Sequence, residues 1–248
     1  MSNVNHPDES QQQPLVCGIQ DIPDEPPRKV YLAGCAEIAR AFEVDGFSYA
    51  RSRQMLSRKS GFFRHQIAFQ SSHHNSEGET ILIWVHAWVY SATLVEWHKA
   101  NHSKEKGGFV AGGQLGNLLP EPSWYEWNIA DPARRKCELD DAIQKIRATA
   151  LPFFAAFETP SHLIKHLLVE DQAGLGIVQA VEFVLCFGLQ TQAEMIMGRF
   201  FRQRPDMYNE YLRLLTRNQA QGHDAQVVGG YAAQLAETSL RFNLSPAL

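Results

Sequence analysis

Between Lys29 and Val44 the apolar positions Tyr31, Leu32, Cys35, Ile38, Ala39 and Phe42 recur at three- and four-residue intervals. That spacing predicts an amphipathic helix. Asp45-Gly46 is expected to end it, because glycine accepts the left-handed backbone of a helix C-cap. The period then changes to two. Short strands are expected from Phe47 to Tyr49 and from Arg53 to Arg58, the second stopping before Ser60-Gly61. Phe62 to Ser71 forms a third, with Phe63, His65, Ile67 and Phe69 on one face and Arg64, Gln66, Ala68 and Gln70 on the other. A polar turn from His74 to Gly78 leads into the fourth, Thr80 to Tyr90. One face of this strand is aliphatic (Ile81, Ile83, Val85, Ala87, Val89), whereas the other carries Leu82, Trp84, His86, Trp88 and Tyr90. Short connections favour antiparallel neighbours. A strand apolar on both faces belongs in the middle of a covered sheet.

The stretch from Lys104 to Trp127 reads as a glycine-rich loop, with Trp124 to Asn128 as one further strand. At Asp131 the pattern turns helical. Asp131 is a good N-cap with Pro132 in the first helical position, and Leu139, Ile143, Ile146 and Ala150 form a stripe up to a break at Pro152. Beyond it the chain reads as helices: Thr159-Pro160-Ser161 to Leu168, a hairpin of 174–189 and 192–202 turning about Gly188, then 205–218 and 225–242. The fold class is therefore α+β: an antiparallel sheet of four or more strands, an N-terminal helix, and a C-terminal helical bundle packed on the sheet. Residues 1–28, polar and rich in proline, are expected to be a disordered tail. Residues 29–150 then form the sheet domain and 151–248 the helical part. So many apolar helical residues need a surface, and the aromatic face of the fourth strand is the one expected to be covered.

A chain of 248 residues with 44% hydrophobic and 20% charged residues has ample capacity for a globular core. The net charge of -4 gives no electrostatic reason to expect a nucleic-acid partner, the exception being the basic run Arg51, Arg53, Arg58, Lys59 and Arg64. Cysteines at 17, 35, 137 and 186 form no CxxC unit and read as reduced thiols, with Cys186 buried. The N-terminus lacks the basic and apolar regions of a signal peptide. The longest apolar stretch, Phe183 to Leu189, is too short to span a bilayer. A cytoplasmic location without membrane association is the expectation.

Phe42-Glu-Val-Asp-Gly46-Phe47, the strand Phe62 to Ser71 with its Gln70-Ser71 ending, and the strand after the polar turn together resemble the DUF4304 family of bacterial domains. Gly112-Gly113-Gln114-Leu115-Gly116-Asn117-Leu118 followed by Trp124 looks like that family's later loop-and-tryptophan element. The resemblance covers about residues 30–150. It implies a fold and, the family being of unknown function, no catalytic residues.

Candidate chemistry is sparse. His98 with His102, and His162 with His166, have the four-residue helical spacing that can offer zinc two imidazoles, with His73, His74, His65 and His86 as further partners. Neither pair carries the glutamate of an HExxH motif, and no cofactor signature is present. Ser71-Ser72-His73-His74 reads as a polar turn, and the glycines from 107 to 116 match neither GxGxxG nor a P-loop. The strongest candidate is a binding surface: Arg64, His65, Trp84, His86, Trp88, Trp124 and Trp127. The expected function is a non-enzymatic interaction module for another protein, of the kind an immunity or inhibitor protein represents. A metal-dependent hydrolase centred on His65, His86 and the His98/His102 and His162/His166 pairs, and a nucleic-acid binder using the basic run, are the alternatives. The register of the third strand on the fourth, and the oligomeric state, stay open.

Overall fold

A computed structural model describes residues 25–101, 107–169, 175–221 and 230–248. Most of the expected tail, His102, and residues 225–229 of the last expected helix lie outside them.

Helix α1, Pro27–Arg40, starts with proline in its first turn, where a missing N–H costs nothing. It begins within the segment expected to be tail. A short turn, Glu43–Asp45, follows it, and Gly46 then takes φ of 80°. Strands β1 (Ser48–Ala50), β2 (Met55–Ser60), β3 (Phe63–Ser71) and β4 (Leu82–Tyr90) form an antiparallel meander. Helix α2, Ala92–Ala100, comes next. Then the glycine-rich segment corrects the sequence reading: Phe109–Gln114 is a strand, β5, paired antiparallel with β4 from His86 to Tyr90. A bulge between Val89 and Tyr90 adjusts the register. The short β6, Trp127–Asn128, pairs with the other half of the same edge, at Leu82 and Ile83. β4 is thus an inner strand over most of its length, with only Trp84 and Val85 lacking a strand partner on the second edge.

Helix α3, Pro132–Ala155, is capped by Asp131, whose side chain accepts from the Ala133 N–H at 2.9 Å. It runs through Pro152 instead of stopping there. The proline costs one helical hydrogen bond, but Ala150, Phe154 and Phe157 around it are fully buried and hold the last turn in place. The boundary drawn at residue 150 therefore falls inside a continuous helix. Helices α4 (Pro160–Val169), α5 (Ile177–Phe187), α6 (Gln190–Arg202), α7 (Pro205–Gln221) and α8 (Tyr231–Phe242) complete the chain.

The aliphatic face of β4 (Ile83, Val85, Ala87, Val89) is sealed under α1 and α3 together with Leu56, Ile67 and Phe69. Each valine, leucine, isoleucine or phenylalanine side chain so removed from water contributes about 1.5–3 kcal/mol. The C-terminal helices do not lie over the aromatic face. They meet the sheet at its Phe63 end, where Phe183 of α5 stacks on Phe63 at 6.1 Å and Phe187 packs on Phe62 at 6.0 Å. Their remaining apolar surface is satisfied within the bundle, by residues such as Phe201 against Tyr211 at 4.8 Å. The buried residues form one continuous cluster from Val30 to Leu244, so sheet and bundle share a core.

Candidate functional site: an open aromatic sheet face

Along β4 burial alternates strictly: odd positions from Ile83 to Val89 are buried, while Leu82, Trp84, His86, Trp88 and Tyr90 are only half-buried. The expectation that helices cover this second face is corrected. The meander needs one face for its core, and the aliphatic face, with fully buried residues under α1 and α3, fills that need.

The register resolves which side of β3 accompanies these rings. Arg64 pairs with Tyr90, Gln66 with Trp88, Ala68 with His86 and Gln70 with Trp84. Directly opposed residues share a face, so the amide, guanidinium and aromatic side chains make one surface. Gln70 Oε1 lies 3.0 Å from His86 Nε2, and the His86 ring rests 5.4 Å from Trp88. Partial burial holds the His86 imidazole below its ordinary pKa and favours the neutral ring.

On the other side, Trp88 is opposite Gly112. A Cβ at Gly112 would stand 2.1 Å from the Ala87 carbonyl oxygen and 2.8 Å from Trp88 Cα, so only glycine lets β5 pass beneath the indole. Gln114, itself 4% exposed, ties the strand to the loop that follows. Its Nε2 donates to the Tyr125 carbonyl at 2.8 Å, and its Oε1 accepts from the Gly116 N–H at 2.7 Å. That loop delivers Trp124 and Glu126 to the face. One Glu126 oxygen accepts from both indoles, Trp84 at 3.2 Å and Trp124 at 3.3 Å, and the two rings meet edge to face at 5.9 Å. Trp124 remains 57% exposed.

Of the residues expected at a site, Arg64, Trp84, His86, Trp88 and Trp124 therefore converge on this surface. His65 and Trp127 do not. His65 points to the opposite face, where it stacks on Phe154 at 4.6 Å and lies 3.3 Å from Arg58. Burial first, and the Arg58 cation second, bring its pKa down to about 4. Trp127 is 2% exposed and donates to Asp141 at 2.8 Å. Glu126 was not expected from the sequence. The signal was there, since alternation over Trp124 to Trp127 puts positions 124 and 126 on one side and 127 on the other.

The remaining candidates separate. His98 is buried; its Nδ1–H donates to the Gly107 carbonyl at 2.8 Å and its Nε2 faces Glu182 of α5 at 3.3 Å. It joins two helices. His162 and His166 do sit together on α4, ring centroids 4.8 Å apart. Among the described residues no group of three or more His, Cys, Asp or Glu is placed to hold a metal ion. In the basic run, Arg58 is a structural residue that donates to the Asp45 carbonyl at 2.9 Å and lies over Phe47 at 4.7 Å. Burial pushes the Cys35 thiol up to about 12 and that of Cys186, which is half-buried and not fully enclosed, to about 11. Neither is an activated nucleophile. No helix among the described residues is long and apolar enough to cross a membrane.

Comparison with family models, curated proteins and solved structures gives no match.

Proposed function

We propose that this chain is a non-catalytic interaction module, of the inhibitor or immunity type, whose ligand is another protein seated on the open sheet face. The observation that carries this reading is the half-buried row Trp84, His86, Trp88 and Tyr90 on an inner strand. Large aromatic side chains held on a rigid element lose little entropy on binding and dominate interface energetics. The proposed kinship with DUF4304 domains adds no activity, so the reading rests on the face itself.

The hydrolase alternative loses its central pair. His65 and His86 stand on opposite sides of the sheet, and His65 is sealed against Phe154. The nucleic-acid alternative requires cations along the path of a phosphate backbone. On this face Lys59 and Arg64 gather at the Tyr90 end, and the Trp84 end carries the Glu126 carboxylate.

The test is affinity capture under native expression with the wild-type chain and with a Trp84→Ala/Trp88→Ala double variant, folding being checked by circular dichroism. The expected result is a stoichiometric protein partner whose affinity falls roughly thirtyfold for each indole removed, at about 2 kcal/mol per hot-spot residue. Equal capture by both chains, or no stoichiometric partner, overturns the reading.

A further inference from the structure

At the Tyr90 end of the open face the sheet, the β2–β3 turn and the start of α2 enclose a cleft of about 460 Å³. Two cations line it. Lys59 and Arg64 are cross-strand partners, and both are exposed. Like charges directly opposed on a sheet are unfavourable. Among the described residues neither forms an ion pair, and no carboxylate lines the cleft. The fold itself gains nothing from this pairing; an anion between them would.

The third wall supplies more positive potential. Ser91 is the N-cap of α2, and its hydroxyl accepts from the Leu94 N–H. Ala92 and Thr93, also lining the cleft, contribute first-turn N–H groups that have no acceptor within the helix. This wall is tied to the segment leading into β5, because the Ser91 N–H donates to the Gly108 carbonyl at 2.7 Å. A Cβ at Gly108 would stand only 2.2 Å from the Ser91 carbonyl oxygen. Phe62, 57% exposed, forms an apolar rim.

We infer that the cleft takes a carboxylate of the protein partner. This inference rests on the reading of the sheet face as a protein-docking surface, and it sets the direction of the bound segment. From Tyr90 to Trp84 the strand rises about 20 Å, from the paired cations to the carboxylate of Glu126. The ligand is therefore a segment of about six residues in extended form, acidic at the cleft end and apolar or neutral over Trp88 and Trp84. A single-stranded nucleic acid would bring phosphate against Glu126 as well.

The experiment is a titration of the full chain, isotopically labelled, with sodium acetate, with inorganic phosphate, and with an oligothymidylate at constant ionic strength. The signals followed are the amides of Ala92 and Thr93 and the guanidinium N–H of Arg64. Acetate is expected to shift them saturably. A Lys59→Gln/Arg64→Gln variant weakens that binding by about tenfold, while Arg51→Gln leaves it unchanged. No saturable shift, or shifts that persist in Lys59→Gln/Arg64→Gln, overturns the site. Saturation by phosphate without acetate overturns the assignment of the cleft to a carboxylate. Oligothymidylate binding that also perturbs the Trp84 and Trp88 indoles makes the ligand a nucleic acid and overturns the proposal. Because the acetate arm needs no partner, its failure leaves the docking reading intact, and failure of partner capture leaves the cleft intact.

Discussion

Gly112→Ala is expected to lower the unfolding free energy by about 3 kcal/mol, the sum of backbone strain and overpacking. Gly112 has φ of 135°, a region that residues with a side chain rarely enter. The added Cβ would stand 2.1 Å from the Ala87 carbonyl oxygen and 2.9 Å from Trp88 Cδ1. Neither contact can be relieved without lifting β5 from β4 or turning the indole. The neighbouring Gly113→Ala is the internal control, since its Cβ meets nothing within 4 Å. It should change stability by no more than about 0.5 kcal/mol. Urea unfolding of the two variants, followed by tryptophan fluorescence and by hydrogen exchange at the β5 amides, separates the cases. Equal midpoints for the two variants would show that the Trp88–Gly112 contact does not constrain the sheet.

Acidification should remove about 3 kcal/mol of stability through His65 alone. The folded chain holds this imidazole at a pKa of about 4 against an ordinary 6.5, because burial and the Arg58 cation both disfavour its charged form. The sign follows directly. The unfolded state binds the proton more readily, so the stabilising contribution is complete above pH 6.5 and is lost as the pH falls towards 4. A His65→Phe variant, with no proton to bind and a ring that can still stack on Phe154, should lack this component. Comparing urea midpoints of the two chains between neutral pH and pH 4 measures it. A His65 ring that titrates near 6.5 by NMR would refute the mechanism.

The sequence carried most of the architecture because periodicity reports burial directly. The two faces of β3 and β4, the Asp131 cap and the helical hairpin about Gly188 were all legible from spacing and local chemistry. What it could not carry were facts that depend on pieces distant in the chain. β5 looked like a loop, because the reason its glycines suit a strand is Trp88, more than twenty residues earlier. Pro152 looked like a stop, because the force that continues the helix is tertiary burial of Phe154 and Phe157. The destination of the aromatic face is not legible in the sequence for a related reason. Apolar helices can satisfy one another, and nothing in their periodicity says whether a given stripe meets a sheet or another helix. His65 and Trp127 have the residue types a site needs, but their side of the sheet is fixed by the pairing of His65 with Val89 and of Trp127 with Ile83, a register that alternation within each strand does not supply.

The His98–Glu182 contact has a mechanical consequence. Helix α2 forms a wall of the cleft at its first turn and is moored at its last turn to α5, in the C-terminal bundle. Load placed on the cleft by a docked segment is therefore borne by both halves of the molecule. A fragment ending at residue 150 would keep Lys59, Arg64 and Ser91 but cut the mooring, and it would bare both His98 and the Phe63 face that Phe183 covers. Sheet and bundle are in this sense one instrument, and neither is a portable half.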